Sequence, residues 1–242
     1  MTDRVDAAKS AAARYAVEQN VRPGLRLALG TGSTTEHAVR SIRAVFPNEV
    51  FDCVASSGAT ERLAASLGLP VRPLRERDRF DLMIDGADEV SPSLDLTKGG
   101  GGALLREKFL ARLSDRLVIA VDDSKLVSAL GERAPIPVEV VPYCRPALGR
   151  QLAARGFTVR LRATGGGAPF VTENSNEILD LVPASPLRRP AEVDTDLRSL
   201  VGVVETGLFV GLADKVVVGS PSGAVRELLR PVPASPGSPG AR

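Results

Sequence analysis

Short, largely apolar runs that end in glycine, serine or aspartate and lead into helix-forming stretches recur through the first half of this chain. That rhythm restricts the fold more than any other feature. Leu25–Leu29, Val50–Ala55, Phe80–Ile84 and Arg116–Val121 have the length and content of buried strands. Helical patterns fall over 36–45, 60–67 and 103–113, a first helix over 3–20 precedes them, and Val71-Arg72 adds a short strand. Strand and helix in alternation give a parallel sheet with helices on both faces. Ligands bind to such sheets at the C-terminal ends of the strands. The residues that follow each run are therefore the candidates for chemistry.

The run 80–84 delivers Asp85-Gly86-Ala87-Asp88 and then Lys98-Gly99-Gly100-Gly101-Gly102 ahead of the helix that carries Glu107. A turn needs one or two glycines and each one costs conformational entropy, so four in succession point to a backbone that approaches something closely. A glycine loop opening a helix offers N–H groups to an anion. Glu107, in the first turn or two of that helix, is expected to be ionised because the helix dipole favours a carboxylate there. The run 25–29 repeats the arrangement with Gly30-Thr31-Gly32-Ser33-Thr34-Thr35. A dinucleotide fingerprint would need glycine where Thr35 stands, and no G-K-[ST] follows to make a nucleotide-binding loop. The hydroxyls of Ser33 and Thr34 suit a compact monophosphate, with helix capping as their alternative duty. Lys125, one of five lysines against 26 arginines, lies just past the strand 116–121 on the same rim.

Composition narrows the chemistry further. With 31 basic and 29 acidic residues scattered through 242, a net charge of +2 gives no surface for nucleic acid or membrane. The first residues have no apolar core of signal-peptide type, and no run reaches the ~18 apolar residues a membrane helix needs. Cys53 and Cys144 are too few for a disulfide framework or a metal site, so a cytoplasmic location is expected. His37 is the one histidine, placed on a helical stretch as a surface side chain. Acid–base work therefore falls to carboxylates or lysine, without metal.

After Pro135 the rhythm changes. Strands over 138–141, 158–161, 170–172, 178–181 and 201–205 with helices over 145–155 and 191–200 make a βαββαβ pattern with one extra strand, a small α+β domain. A strand over 215–218 and a helix over 222–229 return to the first domain. The tail 231–242, with four prolines, is expected to be disordered. The resulting division is 1–132 with 205–230, then 133–204, then the tail.

Read together, Leu29-Gly30-Thr31-Gly32-Ser33-Thr34, Asp85-Gly86-Ala87-Asp88-Glu89, Lys98 to Leu104 with Arg106-Glu107-Lys108, Pro137-Val138-Glu139-Val140 and Gly207-Leu208-Phe209 resemble ribose-5-phosphate isomerase of the A type, over nearly the whole chain. The resemblance implies a Rossmann-like domain with an inserted ferredoxin-like α+β domain, and a homodimer or larger homo-oligomer. It implies cofactor-free interconversion of ribose 5-phosphate and ribulose 5-phosphate in the pentose phosphate pathway. By the same resemblance Glu107 is the proton acceptor, and Asp85, Asp88 and Lys98 contact the sugar and assist ring opening. Thr31, Gly32, Ser33 and Thr34, Gly86 and Ala87, and Gly99, Gly100 and Gly101 line the substrate, with Lys125 at the phosphate. Leu105 stands where the family more usually has threonine, Ser56-Ser57-Gly58-Ala59-Thr60 only partly matches its serine-rich turn, and Glu173-Asn174-Ser175-Asn176 varies on Asp-Asn-Gly-Asn. The competing reading is a non-catalytic sugar-phosphate sensor, which would carry a helix-turn-helix; only about two dozen residues precede the first strand here. A nucleotide-linked oxidoreductase is disfavoured by Thr35.

Overall fold

The computed structural model describes residues 2–230, so the tail expected to be disordered lies outside the described residues. The chain is mixed α/β, with a largely parallel sheet at its core and two smaller antiparallel sheets. Its elements in order are α1 (Thr2–Asn20), β1 (Arg26–Leu29), α2 (Ser33–Val45), β2 (Asp52–Ala55), α3 (Gly58–Ser66), β3 (Leu82–Asp85), β4 (Glu89–Val90), β5 (Leu96–Thr97), α4 (Leu104–Arg112) and β6 (Leu117–Asp122). There follow β7 (Ile136–Val140), α5 (Arg145–Ala154), β8 (Phe157–Leu161), β9 (Glu177–Pro183), α6 (Pro190–Arg198), β10 (Val203–Thr206), β11 (Leu208–Phe209), β12 (Lys215–Gly219) and β13 (Val225–Leu229).

The six-stranded sheet runs β13-β12-β6-β3-β1-β2, parallel except for the β12/β13 pair. One face is filled by α1 and α2, where Ala12, Ala16, Val39 and Ile42 meet Leu27, Leu29, Ile84 and Val118. The other holds Phe80, Met83, Leu110, Ile119, Phe209 and Val216. Alternate residues of β3 and β6 go to opposite faces, which is why those runs read as continuously apolar. The four-stranded sheet, β10-β7-β9-β8, is antiparallel and packs against α5 and α6 around Ile136, Val138, Leu152, Leu181 and Leu197.

The last helix expected, over 222–229, is instead strand β13. Ser220 to Ala224 closes a tight turn, with Ser220 N–H donating to the Ala224 carbonyl at 2.9 Å and Gly223 at φ +83. The chain is thereby returned antiparallel along β12, and Lys215 pairs with Glu227 across the hairpin at 2.8 Å. Val-Arg-Glu-Leu-Leu fits either state by propensity, and the turn ahead of it decides. Two expected short strands shrink to single bridges, Cys53 with Val71 and Val171 with Glu177. A three-stranded sheet, β11-β5-β4, had no sequence signal, since its strands are two residues each.

Candidate active site

The site grows from the C-terminal ends of β1 and β3. Gly30 follows β1 and lies against the last residue of β3, Asp85: a Cβ added at Gly30 would fall 2.0 Å from the Asp85 carboxylate, so only glycine admits that approach. Asp85 is fully buried, and its Oδ1 accepts from Gly86 N–H (2.8 Å), the Thr35 hydroxyl (3.1 Å) and Thr31 N–H (3.2 Å). Thr35, which breaks the dinucleotide fingerprint, is thus a ligand of this carboxylate. The chain then enters α2 at Ser33, three residues earlier than expected, which puts Ser33 and Thr34 in the first turn of that helix.

Lys98 follows β5 and is only 3% exposed. Its N–H donates to the Gly207 carbonyl at 2.8 Å, and Gly207 N–H donates to the Pro137 carbonyl at 2.7 Å. Gly207 has no room for a Cβ, which would stand 2.2 Å from the Lys98 carbonyl oxygen. The ammonium donates to the Gly86 carbonyl at 2.8 Å and sits 2.7 Å from Asp85 Oδ2, 3.1 Å from Glu107 Oε2 and 5.4 Å from the centre of the Phe209 ring. Both carboxylate oxygens are buried and neither makes a directed hydrogen bond, so this is ionic contact. Burial by itself disfavours a charged lysine, but Asp85 and Glu107 outweigh it and hold the ammonium above its usual range.

Glu107 is also 3% exposed. Burial pushes its carboxyl up to about 8, against the downward pull of Lys98 and with the charge of Asp85 adding to the rise. Enclosure thus opposes the helix dipole, which favours the ionised form expected from sequence. A first-turn dipole is worth at most ~1–2 kcal/mol, whereas burying a charge costs several. A buried carboxyl that titrates near neutrality beside a fixed cation is the environment of a general base or acid.

A cavity of about 100 Å³ gathers Thr31 to Thr34, Gly86 to Asp88, Lys98 to Gly101, Glu107 and Lys125. Among the candidates from sequence, Asp85 alone stands outside its wall, behind Lys98. Gly99 and Gly102 hold φ +102 and +84 as the loop doubles back, and Gly100 N–H donates to Asp88 Oδ2 at 2.8 Å. Lys125 ends a short 3₁₀ turn, Asp123–Lys125, that follows β6. Lys9 was missed: it reaches across from α1, donates to the Ser33 hydroxyl at 3.2 Å and lines the same cavity. The cavity thus combines two lysines and two hydroxyls at a helix N-terminus with a buried Lys98–Glu107 pair. That joins an anion site to an acid–base site.

A larger cavity of about 460 Å³ lies between α3, α4 and Val71 to Leu74, with Phe109 and Leu105 on its wall. Its arginines are already paired, Arg72 with Asp52 and Asp78, and Arg106 with Glu173, and Glu61 is the one carboxylate on its otherwise mostly apolar wall. Among the described residues no group of three or more His, Cys, Asp or Glu is arranged to hold a metal, and no helix is long and apolar enough to cross a membrane.

Comparison with known proteins agrees along the whole fold. The sequence profile of the family described as ribose 5-phosphate isomerase A (phosphoriboisomerase A) matches residues 52–223. Ribose-5-phosphate isomerase A of Chloroflexus aurantiacus is 46% identical over 225 residues, covering 92% of this chain and 93% of that protein. The probable ribose-5-phosphate isomerase 3, chloroplastic, of Arabidopsis thaliana is 43% identical, covering 90% and 82%. A solved D-ribose-5-phosphate isomerase in complex with phospho-erythronic acid superimposes with a TM-score of 0.88 at 33% identity, covering 93% of this chain and 99% of that one. The enzyme from Plasmodium falciparum gives 0.88 at 32% identity, covering 93% and 98%.

Proposed function

The chain belongs to the ribose 5-phosphate isomerase A family, and on that premise we propose that it interconverts D-ribose 5-phosphate and D-ribulose 5-phosphate through an enediolate, with Glu107 as the base. The observation that carries this reading is the 3.1 Å contact between Lys98 and the buried Glu107, on the wall of a cavity that also presents Lys9, Ser33, Thr34 and Lys125.

In this mechanism the phosphate lies against Lys9, Lys125 and the first turn of α2. Asp88, with Lys98, assists opening of the sugar ring. The ionised Glu107 takes the proton from C2 of the open aldose. The electrons of that C–H bond form the C1–C2 double bond, and the carbonyl pair moves onto O1. Lys98 is already fixed by Asp85 and the Gly86 carbonyl, so it meets the developing charge on oxygen without reorganising. Glu107 returns the proton to C1 while the O2 proton passes to O1, so that C1 carries the hydroxyl and C2 becomes the carbonyl of the ketose. One carboxylate serves both carbons because they are adjacent on one face of the intermediate. Burial strengthens that carboxylate as a base, since its conjugate acid titrates near working pH.

A non-catalytic sensor of the same sugar phosphate would need the lysines and hydroxyls but would gain nothing from a buried carboxyl–ammonium–carboxyl group, which is costly to assemble. The deciding experiment is incubation with ribose 5-phosphate and detection of the ketose. Tight binding with no ketose formed would establish the sensor instead. We also infer a cytoplasmic enzyme that assembles as a homodimer or larger homo-oligomer, with 133–204 as a domain of its own; light scattering of the purified chain tests the assembly.

A further inference from the structure

Arg106, Glu107 and Lys108 are consecutive on α4, so their side chains leave the helix about 100° apart and reach three different parts of the protein. Arg106 donates to Asn174 Oδ1 at 2.9 Å and to the Glu173 carbonyl at 3.0 Å. Glu107 meets Lys98 at 3.1 Å. Lys108 is only 2% exposed, as deeply buried as the site itself, yet it does not line the cavity. Its ammonium donates to Glu205 Oε1 on β10 at 2.8 Å and to the Thr206 hydroxyl at 3.3 Å, and it lies 3.6 Å from Asp194 Oδ1 on α6. It also stands 5.1 Å from the centre of the Phe209 ring, the ring that Lys98 approaches at 5.4 Å. Burial pulls the ammonium below its usual range, opposed by Glu205 and Asp194.

Burying a lysine against two carboxylates brings little net stability, because desolvation consumes most of the attraction. What it does supply is a fixed orientation. A carboxylate roughly 6 Å from a helix axis moves about 1 Å for each 10° of helix rotation, and a 1 Å misplacement costs about 10²-fold in rate. With Lys98 held by Asp85 and the Gly86 carbonyl, rotation of α4 bears directly on the Lys98–Glu107 distance.

We propose that Lys108 is a positioning residue for the isomerisation: anchored to β10 and α6, it fixes the rotation of α4 that presents the Glu107 carboxylate to Lys98 and the substrate. The inference rests on Glu107 being the base. The charged groups facing Glu107 are Lys98, Asp85 and Asp88, and those around Lys108 are Glu205 and Asp194, the latter also paired with Arg198 at 3.2 Å.

The test uses Lys108→Met and Glu205→Gln in the full chain, with kcat, KM and pH profiles measured on ribose 5-phosphate and folding checked by circular dichroism. Lys108→Met is expected to lower kcat by about 10²-fold while KM stays within about twofold, because the phosphate ligands lie on other elements. Freed from its enclosure, Glu107 also loses part of its desolvation, so the acid limb of kcat/KM moves down by about one pH unit. Glu205→Gln does the same more weakly and decides the matter by the same criteria where Lys108→Met fails to fold. Wild-type kcat with an unmoved acid limb, or a fall in thermal stability alone, overturns the positioning role. Glu107→Gln separates the two claims: if it is inactive while Lys108→Met is normal, only this inference falls, and if it is active both do.

Discussion

Replacing Glu107 by glutamine should make the folded protein more stable as pH rises, although it removes the base. In the wild type the folded carboxyl titrates near 8, against an ordinary value of 4.5, because burial penalises its charge. Between those values the folded chain holds a proton that the unfolded chain has released. Stability is therefore lost as pH climbs through the window, at roughly 1 kcal/mol for each pH unit. From pH 5 to pH 8 this accumulates to at most about 3–4 kcal/mol, or on the order of 10 °C in Tm for a chain of this size. Glutamine keeps the shape and carries no charge to bury, and Lys98 keeps Asp85 as its partner at 2.7 Å. Melts of both proteins at pH 5, 7 and 9 should coincide at pH 5 and separate above it, with the variant the more stable. A Tm difference that is constant or shrinks with pH would mean that Glu107 is ionised throughout, and the burial argument would fail.

Other substitutions probe the remaining parts of the site. Lys125→Ala and Lys9→Ala should each raise KM far more than they lower kcat, since a phosphate remote from the reacting carbons supplies binding, about 1.5–3 kcal/mol for each charge-assisted bond; steady-state kinetics with kcat falling alone would assign that lysine to the chemistry. Gly30→Ala would drive a methyl to 2.0 Å from Asp85 and displace the carboxylate that orients Lys98, costing about 1–3 kcal/mol of stability together with activity. Gly101→Ala meets only Thr31 Cγ2 at 3.5 Å and should melt close to the wild type; equal destabilisation by the two changes would remove the steric explanation.

The walls of the cavity were legible in sequence because they are local. Thr31 to Thr34, Gly86 to Asp88 and Lys125 each sit within a few residues of an apolar run, and the run's C-terminal end marks the rim. Lys9 was not legible: it belongs to α1, and only the packing of α1 on α2 brings it to Ser33. Nor could spacing reveal that Asp85 stands behind Lys98, since neighbouring strand-end residues look alike until the strands are placed side by side. The role of Glu107 as proton acceptor came from the family resemblance, but its titration depends on burial and on Lys98 and Asp85, which its place on a helix does not reveal. Lys108 reads as an ordinary surface lysine beside it, and only the fold shows it buried against Glu205. β13 shows the converse: five residues with no preference were committed by the turn at Gly223. Ser175, standing where the resembling family more usually has glycine, holds φ +63, so the loop keeps a glycine's conformation without the glycine.

The claim at the centre of this account is that one carboxylate, Glu107, moves the proton between adjacent carbons of ribose 5-phosphate. Its most direct test is incorporation of solvent tritium into the sugar phosphate by the wild type and by Glu107→Gln. The wild type should incorporate label during turnover, because a proton held on a carboxylate exchanges with water. Glu107→Gln should still bind substrate, with turnover and incorporation both lower by about 10²–10⁴-fold, the range expected for losing a general base. Near wild-type turnover and incorporation in the variant would contradict the assignment and move the search for the base to another carboxylate of the site.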